Sequence, residues 1–237
     1  MTVTWIVVIP VKVLAQAKSR LGVLAGPRRP ELAMAMATDT ASAVLGCPDV
    51  ARVLVVTSDA DVTGQLSSLG ASVVADPADP RVADVTPSRR RPVGPEDRAL
   101  EDRLNAALVH GAELAARQWP GTGIAALSAD LPALRPTELS RALRAAAALP
   151  AGRAAFVADE QGVGTTLYAA PPGADFRPMF GGASRRRHAA SGVCELLLDG
   201  IPGLRRDVDT PDDLRTAVGL GTGPRTLAVA GELLDVA

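Results

Sequence analysis

Aromatic residues are almost missing from this chain: two Trp, one Tyr and three Phe amount to 3% of it. A core without large rings has to be built from Ala, Val and Leu. The 47% hydrophobic content over 237 residues is enough to bury one large α/β domain or two small ones. Cysteine is equally scarce. Cys47 and Cys194 lie far apart and lack partners at metal-ligand spacing, which points to two reduced thiols in a cytoplasmic protein. Net charge is −1, so no overall field favours nucleic acid or an anionic membrane, and any anion site has to be local. No apolar run reaches the ~18 residues of a membrane span, and the first residues carry neither a basic n-region nor a cleavage signal. Neither secretion nor membrane insertion is expected. The Walker A pattern and the GxGxxG fingerprint are absent too.

What is present is organised around Trp5 to Leu21, WIVVIPVKVLAQAKSRL. The unbroken run Trp5 to Ile9, rich in β-branched residues, reads as a strand buried on both faces of a parallel sheet. Beyond Pro10 come Lys12, Lys18 and Arg20, with only neutral side chains between them. The carboxyl end of a buried strand is where open α/β sheets bind ligands, and these cations suit an anion. With no glycine-rich phosphate loop, the affinity would come from ammonium and guanidinium groups. A solvated basic turn is the alternative.

The rest of the chain continues an α/β rhythm. Pro30 to Cys47 predicts a helix, Val53 to Thr57 a second buried strand, Asp61 to Leu69 a short helix stopped by Gly70, and Ser72 to Ala75 a third strand. This order implies right-handed crossovers and one nucleotide-binding half of a doubly wound fold. Residues 81–102 carry Arg89-Arg90-Arg91, prolines and many charges with little to bury, which predicts a mobile charged loop. Leu104 to Arg117 is an amphipathic helix, Gly123 to Leu127 a strand and Thr137 to Leu149 a helix. Ala154 to Ala158 and Thr165 to Ala170 read as strands around Gly162-Val163-Gly164, and Leu204 to Val208 as another short strand. Thr210 is placed to cap a last helix from Pro211, and the weakly apolar end of the chain either docks or frays.

Two further constellations can carry chemistry. Asp130 follows an apolar strand, and Asp207 and Asp209 lie two apart, so that an extended backbone points both the same way. Carboxylates at strand ends are the oxygen ligands Mg²⁺ takes, usually one or two per ion with phosphate and water completing the shell. The structural alternatives are a turn at Asp130 and a helix cap at Asp209. Gly164-Thr165-Thr166 and Phe180-Gly181-Gly182-Ala183-Ser184 combine glycine with hydroxyls, the second opening a basic helix. Such segments let backbone approach an anion and donate to it, though ordinary turns have the same composition. Cations, carboxylates and a hydroxyl pocket together are the equipment of nucleotidyl transfer.

PVKVLAQAKSRL, LSADLPAL, GTT at 164–166, FGGASRRRH and GLRRDVDTPDDL resemble the guanylyltransferases of deazaflavin (coenzyme F-420) biosynthesis, in order, from about Ile6 to Thr226. The resemblance implies a single-domain, Rossmann-like α/β nucleotidyltransferase fold of the GT-A-like kind, with a mainly parallel sheet flanked by helices, over residues 1–226, followed by a tail over 227–237. It implies transfer of GMP from GTP to a three-carbon phospho-acid. Archaeal members use 2-phospho-L-lactate and actinobacterial members phosphoenolpyruvate; the Ala/Arg/Pro-rich composition favours phosphoenolpyruvate. Carried over by position, Asp130, Asp207 and Asp209 would hold Mg²⁺, and Thr166, Gly181 and Ser184 would bind phosphoenolpyruvate. Lys12, Lys18 and Arg20 would bind the triphosphate and act in catalysis. Asn105, in RLNAAL where the family reads GLNAAL, would lie near guanine or ribose. The enolpyruvoyl product would pass to the next enzyme of the pathway. Two other readings stay open: a nucleotidyltransferase acting on sugar phosphates, which usually begins with a GGxSxRMG-like loop this chain lacks, and a non-catalytic nucleotide-binding regulator.

Overall fold

The computed structural model describes residues 3–12, 14, 19–77 and 96–235. Seven strands form one sheet: β1 (Trp5–Pro10), β2 (Val50–Val56), β3 (Ser72–Val74), β4 (Gly123–Leu127), β5 (Ala155–Ala158), β6 (Thr165–Ala170) and β7 (Cys194–Glu195). Their order across the sheet is β3-β2-β1-β4-β6-β5-β7, and only β6 runs against its neighbours. The described helices are α1 (Gly22–Ala25), α2 (Arg29–Leu45), α3 (Ala60–Ser68), α4 (Glu96–Gln118), α5 (Pro136–Ala147), α6 (Ser184–Ala190), α7 (Pro202–Arg205), α8 (Pro211–Leu220) and α9 (Pro224–Asp235). The mainly parallel α/β sheet expected from the sequence is therefore observed. None of these helices is long and apolar enough to cross a membrane.

Alternation along β1 divides the core. Trp5, Val7 and Ile9 pack with Ala33, Ala37 and Ala41 of α2, with Val62 and Leu66 of α3, and with Leu139 and Leu143 of α5. Ile6 and Val8 face the other way, against Ala107, Leu108 and Ala115 of α4. Both faces of the strand are covered, which is why its sequence is continuously apolar rather than alternating. The lack of rings is met by small residues that permit close approach. At Gly111 of α4, an added Cβ would sit 2.6 Å from Val8 Cγ1 and 3.0 Å from Val56 Cγ2.

Two expected elements differ. The helix predicted from Leu104 already runs at Glu96, so residues 96–102 are helical and not loop. Pro95-Glu96-Asp97 is in fact helix-entry chemistry, with proline and acidic residues ahead of the first full turn. Residues 81–95, including Arg89, Arg90 and Arg91, lie outside the described residues. The strand expected over Leu204 to Val208 is instead the single turn α7 followed by extended chain. Pro202 favours a first helical turn, and the Gly203 N–H donates to buried Glu138 Oε1 of α5, which takes that backbone away from any sheet edge.

The end of the chain docks. α9 packs on α2, where buried Asp39 accepts from the backbone N–H of Thr226 at 2.7 Å and of Arg225 at 3.4 Å. A carboxylate from another helix thus satisfies amides that the first turn of α9 cannot pair internally. Because β1 supports both the core and the site, overpacking beneath it is a direct test. Gly111→Ala should lower unfolding stability by about 1–3 kcal/mol in urea titration, since Val8 and Val56 have short, branched side chains that cannot yield.

Candidate active site

The carboxyl ends of β1 and β4 lie side by side where the strand order reverses, with β2 and β3 on one flank and β4 starting the other. In open α/β sheets this switch point is where ligands bind. Lys12, exposed, leaves the end of β1 there, and the Val11 N–H donates to Val56 O at 2.9 Å. The Leu14 N–H donates to Asp59 Oδ2 at 3.0 Å, while Asp59 Oδ1 caps α3 by accepting from the amides of Asp61 and Val62. One carboxylate therefore moors the basic loop to the end of β2. Arg20 is exposed beside the fully buried Leu21; Lys18 lies outside the described residues.

The acids meet at the same edge. The Val208 N–H donates to Asp130 O at 3.1 Å, which sets Asp207 and Asp209 on either side of the point where the chain touches the end of β4. Leu131 N–H is in turn held by Thr40 Oγ1 of α2 at 3.0 Å. All three carboxylates are half-buried. The cap of α8 is Thr210, in a reciprocal box with Asp213, so the capping alternative for Asp209 does not hold. Among the described residues, no three His, Cys, Asp or Glu side chains converge closely enough to cage an ion by themselves.

β6 runs antiparallel and so brings its first residues to this edge, where the Ser128 N–H donates to Thr166 O at 2.9 Å. Thr166 and Ser184 are each 1% exposed, and their hydroxyl oxygens have no hydrogen-bond partner among the described residues. A buried hydroxyl left unpaired costs about 1–3 kcal/mol; other such atoms, Thr222 and Thr226 Oγ1 among them, occur elsewhere in the described residues. Gly181, three residues before Ser184, has φ +102°, and a Cβ there would collide with the Glu101 side chain.

Other residues hold these segments, and Asp159, Arg187 and His188 are not among the candidates the sequence offers. Asp159 accepts from the amides of Val163 (2.8 Å) and Gly164 (2.6 Å), shaping the turn before β6. Arg187 donates to the carbonyls of Met179 and Gly181 and pairs with Glu101 at 3.3 Å. His188, 0% exposed, stands in an aromatic cage of Phe156, Tyr168 and Phe180. Its Nδ1 lies 3.0 Å from Thr165 Oγ1, and Nε2 accepts the Met179 N–H at 2.8 Å. Asn105 clamps the same turn: its Nδ2 donates to Phe180 O at 3.0 Å and its Oδ1 accepts the Phe180 N–H at 2.8 Å. Both ends of that carboxamide are engaged by backbone, which ties Asn105 to the glycine turn at Phe180. Glu101, Asp102, Asn105, Pro178, Met179 and Arg187 line a cavity of about 320 Å³ beside it. The one signal in the sequence was the position of His188 within FGGASRRRH, four residues after Ser184 and so on the same helix face.

With this geometry in hand, relatives settle the family. A phosphoenolpyruvate guanylyltransferase of Thermomonospora curvata is 52% identical over 230 residues, spanning 97% of this chain and 90% of that protein. The chain belongs to the phosphoenolpyruvate guanylyltransferases. The Streptomyces coelicolor member is 49% identical and spans 97% of each chain. No protein-family model matches the sequence. Among solved structures, a Methanothermobacter nucleotidyl transferase superimposes with a TM-score of 0.55 at 20% identity, covering 93% of this chain and 98% of its own. A Desulfovibrio desulfuricans G20 protein assigned to the nucleotide-diphospho-sugar transferases gives a TM-score of 0.64 at 15% identity, covering 98% and 94%. At these identities the likeness is one of fold, and it agrees with the GT-A-like architecture expected from the sequence.

Two outcomes follow from the site's polar groups. Thr166→Val should raise the stability of the protein by about 1–2 kcal/mol, because it removes a buried hydroxyl that has no partner among the described residues. Urea titration of the variant beside the wild type would show the sign. Burial in the aromatic cage, assisted by the charge of Arg187, pushes the His188 pKa down to about 4. The folded protein then stays neutral at this ring while the unfolded chain takes up a proton below about 6.5. The stabilising contribution is complete above pH 6.5 and is lost as pH falls towards 4, about 3 kcal/mol in all. Urea midpoints across that range should show the loss in the wild type and lack this component in His188→Gln.

Proposed function

We propose that this chain transfers GMP from GTP to phosphoenolpyruvate, forming enolpyruvoyl-2-diphospho-5'-guanosine and pyrophosphate as a step of coenzyme F-420 biosynthesis in the cytoplasm. Two things support the reading: relatives named for this activity align along nearly the whole chain, and the buried hydroxyls of Thr166, at the start of β6, and Ser184, at the start of α6, have no hydrogen-bond partner among the described residues. The pair of hydroxyls is the observation that carries it, since a small anionic acceptor would supply the oxygens they lack.

Chemically, a phosphate oxygen of the acceptor attacks the α-phosphorus of GTP in line. The bond from that phosphorus to the bridging oxygen breaks, and pyrophosphate leaves. The attacking oxygen is already ionised, because the second pKa of a phosphate monoester is about 6, so no general base is needed. That agrees with His188, whose two ring nitrogens are both engaged within the fold. Lys12, Lys18 and Arg20 bind the triphosphate and balance charge that grows on the leaving pyrophosphate. Thr166, Ser184 and the Gly181 backbone hold the acceptor. Asp130, Asp207 and Asp209 are the residues that would hold Mg²⁺. Half-buried carboxylates on adjoining segments, short of an all-protein cage, suit an ion bound by one or two carboxylates and completed by substrate phosphates. When bound, the ion neutralises charge between two polyanions. The reactive enol product would pass to the next enzyme of the pathway.

The direct test is pyrophosphate release on mixing protein, GTP and Mg²⁺ with phosphoenolpyruvate, 2-phospho-L-lactate or a sugar phosphate in turn. Release with phosphoenolpyruvate alone or most rapidly is expected. Asp207→Asn should lower kcat by roughly 100-fold or more, as expected where metal-borne charge stabilisation is worth several kcal/mol, with an unchanged melting temperature. Wild-type turnover in that variant would remove Asp207 from the metal site.

A further inference from the structure

We infer that His188 is a positioning residue for the acceptor pocket, a neutral pin that ties β6 to the glycine turn through its two ring nitrogens. The inference rests on the proposed role of Thr166, Gly181 and Ser184 as acceptor contacts. Each of these belongs to a segment that His188 holds. Thr165, bonded to Nδ1, immediately precedes Thr166 in β6. Met179, whose N–H is bonded to Nε2, begins the turn that contains Gly181. Ser184 lies one helical turn before His188 on the same face of α6.

The hydrogen-bond directions assign the proton. A backbone N–H can only donate, so Nε2 accepts from Met179 and is unprotonated; the single ring hydrogen is then on Nδ1 and is donated to Thr165 Oγ1. An imidazolium would present two donors, one of them facing the Met179 N–H. A ring that only filled space among Phe156, Tyr168 and Phe180 would be better served by another phenyl group, which has no polar atoms to bury. What the imidazole adds is the pair of bonds, and both end on segments carrying acceptor groups. Asn105 clamps the next residue of the turn, Phe180, from the opposite side, so the turn is held from α4 and from α6 together. Catalysis by positioning is sensitive to displacements of about 1 Å, which loss of one of these bonds would allow.

The test is steady-state pyrophosphate release with KM measured separately for phosphoenolpyruvate and GTP. His188→Phe keeps the aromatic packing and removes both bonds. It should raise the phosphoenolpyruvate KM at least 10-fold while the GTP KM stays within twofold. His188→Gln places an amide oxygen near the position of Nε2 and should restore part of the phosphoenolpyruvate KM. His188→Asn can mimic only the bond to Thr165 and should restore less. An unchanged phosphoenolpyruvate KM in His188→Phe, parallel rises in both KM values, or equal behaviour of the Gln and Asn variants would overturn the inference. Should His188→Phe fail to fold, the order of the two amide variants decides. If the wild type releases no pyrophosphate with phosphoenolpyruvate, it is the acceptor assignment that fails. Nitrogen NMR of His188 in the ligand-free protein at pH 7 then tests the pin separately: a ring protonated on Nδ1 supports it, and a proton on Nε2 or an imidazolium overturns it.

Discussion

Burial of β1 on both faces is the constraint on which the rest of the molecule depends. From Trp5 to Ile9 every side chain is removed from water, so no charge can be tolerated until the strand has cleared the sheet. The first cation, Lys12, therefore appears at the carboxyl end. The neighbouring strands pair in register with β1, Val8 opposite Leu54 on one side and Ala126 on the other; past the exposed Arg52 near the start of β2, both stay apolar to their carboxyl ends. The polar residues that follow their carboxyl ends, Thr57 to Asp59 and Ser128 to Asp130, consequently emerge at the same level. A hydrophobic requirement inside the sheet thus produces a line of charged and hydroxyl groups along one edge.

The antiparallel strand β6 completes that edge from the opposite direction. By reversing direction it delivers its beginning, Thr165 and Thr166, to the place where its parallel neighbours deliver their ends. The groups collected there fall into two kinds. Asp59, Asp159, Asn105 and His188 have their hydrogen-bonding capacity engaged by backbone and neighbouring side chains, and they hold loops in place. Thr166 and Ser184 are buried yet unpaired. A rigid frame around polar groups that lack partners among the described residues is the kind of arrangement that a preorganised site uses, which is the basis of the proposed acceptor pocket.

Much of this could be read from the sequence because burial patterns are local. A continuous apolar run stopped by proline marks β1, and Ser72 to Val74 is bracketed by turn residues. Thr210-Pro211 marks the start of α8 through side-chain chemistry that operates within four residues. The readings that failed were also local. The charge-rich composition reads as loop as far as residue 102, yet α4 runs from Glu96, since composition does not say where a helix finds its buried face. The apolar residues of Leu204 to Val208 suit a strand or a helical turn equally, and Glu138, distant in sequence, decided between them by capturing the Gly203 amide.

By itself, then, the sequence determined the type and order of most elements, though not of β7, α7 or α9, together with the resemblance of its motifs and which reactive residues end up at strand termini, because each depends on interactions within a few residues. Only the tertiary structure decided which of those residues meet. Asn105 and Phe180 are 75 positions apart, and no local pattern in either segment announces the other. The same is true of Val208 on Asp130 and of His188 between Thr165 and Met179. Those meetings depend on strand order and on the one reversed strand, properties of the packed sheet that no short stretch of the chain contains.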